Sequence, residues 1–202
     1  LAIDAVRTES LDRATLRVRF ALPPKPFLVV CVGQFIDRKG RWPFLEAARA
    51  VVAERDDIGF VWLANSTPDP ADLERVAQHG LGTAFRLLTA ADLGVDHREV
   101  FRVMRAGDVF CLPTFTDGLP IAMLEAMALG LPASSTPVFA IPEAIRDGET
   151  GVLVAPGDAA GLARAVLALR DDPSWRARLA ERGRAHVLAT FDERRSAECA
   201  WM

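Results

Sequence analysis

The apolar positions of the chain fall into short unbroken runs separated by longer stretches of helical spacing. Phe27-Leu28-Val29-Val30-Cys31-Val32 is apolar throughout, ends at Gly33 and shows no alternation of faces. Such a run reads as a strand covered on both sides, as in a parallel sheet. Pro43 suits the first turn of a helix, and Phe44, Leu45, Ala48 and Val51-Val52 follow at helical spacing. Further strands are expected over 58–64, 85–88, 108–112, 133–135 and 151–154. Helices are expected over 70–78, 98–104 and 120–129, and from Asp158 almost to the end with a break near Asp172-Pro173. This alternation predicts an α/β fold, a doubly wound parallel sheet of Rossmann-like type. Residues 1–26 are mixed and end in Leu22-Pro23-Pro24-Lys25-Pro26, which reads as a stiff lead-in linker to a domain over 27–202. Ligands of this fold class bind beyond the carboxyl ends of the strands, so the loops near Gly33, Leu88 and Pro113 are where function is expected.

Composition narrows the classes. Half of the 202 residues are hydrophobic and 25% are charged, enough apolar content for a sizeable core, which excludes disorder. The 24 basic and 27 acidic residues give a net charge of −3, so no nucleic-acid footprint is present. Cys31, Cys111 and Cys199 are scattered and form no C-x-x-C pair, which argues against a disulfide scaffold or zinc site and for a reducing compartment. No apolar run approaches the roughly 18 residues of a membrane span, and no signal peptide pattern opens the chain. The expected location is cytoplasmic. Beginning at Leu1 and stopping at Trp201-Met202, the chain is expected to be a fragment or excised domain.

Several chemistries are dismissed by absent motifs. The chain has no Walker loop, no G-x-G-x-x-G after the first strand, no G-x-S-x-G and no H-E-x-x-H. His79, His97 and His186 lie far apart and read as surface or partly buried residues. No Asp-x-Asp triplet occurs, which removes the usual metal clamp for a sugar-nucleotide diphosphate; neither a metal nor a cofactor is expected.

Two stretches carry positive signals. Gly33-Gln34-Phe35-Ile36-Asp37-Arg38-Lys39-Gly40 follows the first strand, and its glycine, Arg38 and Lys39 fit either an anion site or an ordinary strand-to-helix turn. In Thr116-Asp117-Gly118-Leu119-Pro120, the proline opens a helix whose first N–H groups are free, an arrangement that favours an anion. Asp117 and Glu125 flank that terminus with seven residues between them. Asp117 could equally act as an N-cap and Glu125 as a surface residue, but the Met123, Leu124, Ala126 and Met127 around Glu125 argue for a specific partner.

Together these residues resemble the C-terminal, donor-binding lobe of a retaining GT-B glycosyltransferase of the family-four group. The resemblance is most specific from Ala106 through Pro132, where acid, seven residues and acid lead into Leu-Glu-Ala-Met-Ala, and it continues in Ile141-Pro142-Glu143 and residues 147–154. It implies that Lys39 contacts the donor diphosphate beside the turn glycine Gly33, with Gln34 and Arg38 in the same turn. It implies phosphate contacts from the backbone at Gly118 and Leu119, ahead of Pro120. Glu125 is implied to bond the donor ribose, Asp117 to lie near the transferred sugar, and Leu88 and Thr89 to frame the base. Asp117 and Lys39 are thus the implied catalytic pair.

The departures are specific. Gln34 stands where the family commonly has arginine, Asp117 is a methylene shorter than the usual glutamate, and Phe139-Ala140 replace paired glycines. The family's N-terminal acceptor lobe has no counterpart here. The implied activity is metal-independent glycosyl transfer with retention from a nucleotide-diphosphate sugar, the acceptor lobe being supplied by a longer protein or a partner chain. The alternative is a nucleotide-sugar-binding module without transfer activity. Arg176, Arg178, Arg182 and Arg184 read as a solvated helix face, with contact to a membrane surface as the second reading.

Overall fold

The unbroken apolar runs become strands β1 (Phe27–Val32), β2 (Ile58–Leu63), β3 (Phe85–Leu88) and β4 (Val109–Leu112), joined by the shorter β5 (Ala133–Ser135) and β6 (Val152–Leu153). In this computed structural model, which describes residues 11–94 and 96–191, they form one parallel sheet in the order β3-β2-β1-β4-β5-β6. Phe27 lies beside Ile58 and Val29 beside Val109, so β1 sits at the centre with strand order reversing between β1 and β4. That reversal opens a crevice beyond the carboxyl ends of the two strands.

Both sheet faces are covered, which explains why β1 lacks polar alternation. Phe27, Val29 and Cys31 join Phe60 and Trp62 on one face, packed against α2 (Arg41–Glu54), α6 (Ile121–Ala128), α8 (Ala159–Asp171) and α9 (Pro173–Thr190). Leu28 and Val30 join Val61 and Leu63 on the other, beneath α1 (Arg13–Arg19) and α5 (Arg98–Ala106). The remaining helices are α3 (Pro70–Gln78), α4 (Ala90–Leu93) and α7 (Ile141–Ala144). No described helix is long and apolar enough to cross a membrane.

The reading of residues 1–26 as a linker is corrected over its described part. Asp12 caps α1 through the Thr15 N–H at 2.7 Å, and Leu16, Phe20 and Leu22 are buried in the core. Ion pairs complete the docking. Asp108 accepts from Arg17 at 2.9 Å and from the Leu28 N–H at 2.8 Å, while Glu99 accepts from Arg19 at 2.7 Å and Arg102 at 2.5 Å. Arginine docking leaves no apolar periodicity, so a seven-residue helix of this kind is silent in the hydrophobic pattern. The short α4 and α7 went unpredicted because each spans about one turn, too little for a period to register. The strands expected over 58–64, 108–112 and 151–154 are trimmed to Ile58–Leu63, Val109–Leu112 and Val152–Leu153. The expectations for 1–10 and 192–202, Cys199 among them, lie outside the described residues.

Candidate functional site

The loops after β1 and β4 meet in the crevice and are fastened to one another. The Arg38 carbonyl accepts from both the Phe115 N–H and the Thr114 hydroxyl at 2.8 Å. Thr114 in turn presents its carbonyl to the Thr136 hydroxyl at 2.6 Å, extending the stitching to the loop after β5. Between them Gly40 adopts φ +77°, and a Cβ there would stand 1.9 Å from the Pro113 carbonyl oxygen. No side chain fits that contact. Gly33 sits one loop turn earlier, its carbonyl held by the Trp62 indole N–H at 2.9 Å and its N–H by Leu63 at 3.0 Å.

This fastening brings Lys39 and Asp117 together. The ammonium and carboxylate form an ion pair whose side chains are only 13% and 15% exposed. Directly after Asp117 the chain enters α6 through Pro120. The backbone N–H groups of Gly118, Leu119, Ile121 and Ala122 donate to no acceptor among the described residues. A Cβ on Gly118 would meet nothing within 4 Å, so the approach to the backbone at that residue is open. Free N–H groups at a helix start, with a lysine beside them, can hold an anion.

Next to this terminus lies a cleft of about 530 Å³ over the ends of β1, β2 and β3. Glu125 borders it from α6, along with Val32, Gly33, Asn65 and His97. Burial raises the Glu125 carboxyl above its ordinary range, partly offset by His97, whose Nε2 is 3.8 Å from Oε1. The carboxylate accepts no hydrogen bond among the described residues, which leaves it able to receive hydroxyl donors from a ligand.

The structure therefore gathers Gly33, Lys39, Asp117, Gly118, Leu119, Pro120 and Glu125 around one crevice. The other named residues are placed differently. Arg38 is exposed and donates to the Gln34 side chain at 3.0 Å. Leu88 is buried in the core, and its carbonyl accepts from Ala64. The Thr89 hydroxyl donates to Asp92 at 2.9 Å, capping α4. The cleft wall beyond β3 is formed further along, by Ala90, Leu93, Asp96 and His97.

Sequence reasoning passed over Asn65, and it placed His97 at the surface, where it is indeed exposed, without its approach to Glu125. Asn65 follows the carboxyl end of β2, where the strand-end rule would have placed it. His97 had no such cue, because its approach to Glu125 depends on how α5 meets α6. The four arginines of α9 divide: Arg176 donates to the Leu169 carbonyl and Arg184 to the Ala128 carbonyl, while Arg178 and Arg182 are exposed. Among the described residues no group of three or more His, Cys, Asp or Glu is arranged to hold a metal ion.

The family model of glycosyl transferases group 1 matches residues 26–172. The chain belongs to this family. It is 32% identical over 193 residues to the lipopolysaccharide core biosynthesis glycosyltransferase LpsE of Rhizobium meliloti, covering 92% of this chain and 50% of that protein. The chain thus spans about half the length of that curated relative. Among solved structures it resembles the C-terminal domain of a group 1 family protein, LpcC, from Francisella tularensis, with a TM-score of 0.79 and 25% identity. That match covers 94% of this chain and 97% of the other. Anabaena HepE, crystallised with UDP-glucose, shares the fold at a TM-score of 0.83 and 19% identity, over 98% of this chain and 54% of HepE. The sheet therefore has the fold of the C-terminal α/β domain of GT-B glycosyltransferases.

Proposed function

We propose that this group 1 glycosyltransferase chain binds a nucleotide-diphosphate sugar, as the donor lobe of an enzyme whose acceptor lobe resides on the rest of a longer protein or on a partner chain. The observation that carries the reading is the convergence of Lys39, Asp117 and the four free N–H groups at the start of α6. The diphosphate rests on those N–H groups and on the Lys39 ammonium. The nucleoside occupies the adjoining cleft, with its ribose hydroxyls donating to Glu125.

Transfer breaks the bond between the anomeric carbon and the diphosphate oxygen, and the electron pair leaves on that oxygen. Lys39 and the helix-start dipoles meet the charge where it grows, so metal-independent chemistry suits the site. Removing one such aligned donor typically costs about 3 kcal/mol in the barrier. Asp117, paired with Lys39 in the free protein, is released by the incoming phosphate and lies beside the glycosyl unit. The retaining outcome follows the family resemblance. Closure of the acceptor lobe over the crevice excludes water from the donor.

A second reading, binding without transfer, is favoured by one observation: Gln34 supplies no charge and ties Arg38 to itself. Calorimetric titration with UDP, GDP, UDP-glucose and GDP-mannose tests the shared premise. Saturable binding that is weakened by Glu125→Ala supports it, and absence of binding to every one of the four contradicts it. Donor hydrolysis or transfer after addition of the acceptor lobe separates an enzyme from a module.

A further inference from the structure

Phe139 is an exposed aromatic residue in a backbone conformation that side chains avoid. Its φ is +47°, shared among the described non-glycine residues only by Ala21, and 74% of its surface is open to solvent. Neither burial nor a turn glycine's freedom accounts for a phenylalanine in that position. Strain of this kind, where an exposed apolar ring gains nothing from the fold, points to a ligand.

Its location says which part of the ligand. Thr136 bonds the Thr114 carbonyl at 2.6 Å, and the Ala140 N–H donates to the Gly118 carbonyl at 3.2 Å. The Phe139 turn is therefore fixed to the loop that carries the free N–H groups. The nucleoside cleft lies over β1, β2 and β3, whereas Phe139 follows β5 on the other side of the switch point. A donor running from the cleft across the start of α6 delivers its glycosyl unit toward this turn.

We infer that Phe139 forms an apolar platform for the transferred sugar, its ring lying against the C–H face of the pyranose. The inference rests on the donor-lobe reading above and adds a residue that selects for the sugar. A pyranose presents hydroxyls at its rim and C–H groups on its faces, and a flat aromatic side chain meets the latter at small entropic cost.

The test compares each sugar nucleotide with its bare diphosphate: UDP-glucose against UDP, and GDP-mannose against GDP. Phe139→Gly removes the ring and suits the left-handed backbone, so the melting temperature should not fall. The expected result is about a fivefold loss of affinity for whichever sugar nucleotide binds, with its bare diphosphate unchanged. Phe139→Leu, apolar without a flat face, should show the same selective loss. Equal weakening of the sugar nucleotide and the bare diphosphate overturns the inference, since the ring then acts through the phosphate site. So does an unchanged affinity for both. If the wild-type chain binds none of the four, the donor-lobe reading itself has failed, and the inference falls with it.

Discussion

Lys39 and Asp117 are separated by 78 residues and meet as an ion pair across the point where strand order reverses. One follows β1 and the other follows β4, so the pair exists because the sheet places those two strands side by side. In the free protein each charge satisfies the other. On the proposed reading, a diphosphate entering the crevice competes for the ammonium and leaves the carboxylate free.

Removing the ammonium should therefore weaken binding strongly. Lys39→Ala deletes a charged donor and leaves Asp117 to repel the phosphates, a loss of about 1.5–3 kcal/mol or roughly 10–150-fold in affinity. Calorimetry with the nucleotide diphosphate that binds the wild type reads this directly. An unchanged dissociation constant would place the diphosphate elsewhere.

Glu125 carries a prediction about pH. Its carboxyl is raised above its ordinary value of 4.5 by burial, so the native state holds this proton more tightly than the unfolded chain. Stability contributed by that proton is full below about pH 4.5 and is lost as pH rises through the native value. Glu125→Gln should thus raise the melting temperature at pH 7.5, with the gain shrinking toward pH 4. The same change should weaken binding of nucleotide diphosphates by about tenfold, through loss of the charged acceptor for the ribose hydroxyls. A melting temperature that is lower than wild type at neutral pH would refute the assignment of a carboxylate whose burial outweighs its pairing with His97.

Gly40 is the backbone position on which the crevice depends. Gly40→Ala places a Cβ against the Pro113 carbonyl and adds the strain of a positive φ, together about 3 kcal/mol or more. Denaturant unfolding should show that loss, and nucleotide affinity should fall with it because the loops bearing Lys39 and Asp117 are pushed apart. A variant as stable as wild type would mean that the two loops are not held in contact.

The buried thiols should be inert. Burial drives the Cys31 thiol well above its normal range and the Cys111 thiol up to about 12. Alkylation of the folded protein at pH 8, read by peptide mass spectrometry, should leave both residues unlabelled, with labelling only after denaturation. Rapid native labelling of either would show that the strand ends at the crevice open readily.

The sequence conveyed the sheet well because parallel strands covered on both faces must be apolar without interruption, as in 27–32 and 58–63. Pro120 marked the start of α6 within one residue, for the local reason that proline needs no N–H partner there. Features made by distant contacts were not legible. The docking of α1 depends on Asp108 and Glu99, about 80–90 residues away. The demand for glycine at position 40 comes from Pro113, and the role of His97 comes from Glu125. The bond between Thr89 and Asp92 is a product of the local fold at α4.

A crystal structure of the chain with its bound nucleotide diphosphate would test the central claim most directly. The account predicts phosphate oxygens about 3 Å from the amide nitrogens of Gly118 and Leu119, with the Lys39 ammonium turned from Asp117 onto the ligand. A diphosphate bound away from the start of α6, with the Lys39–Asp117 pair intact, would contradict it.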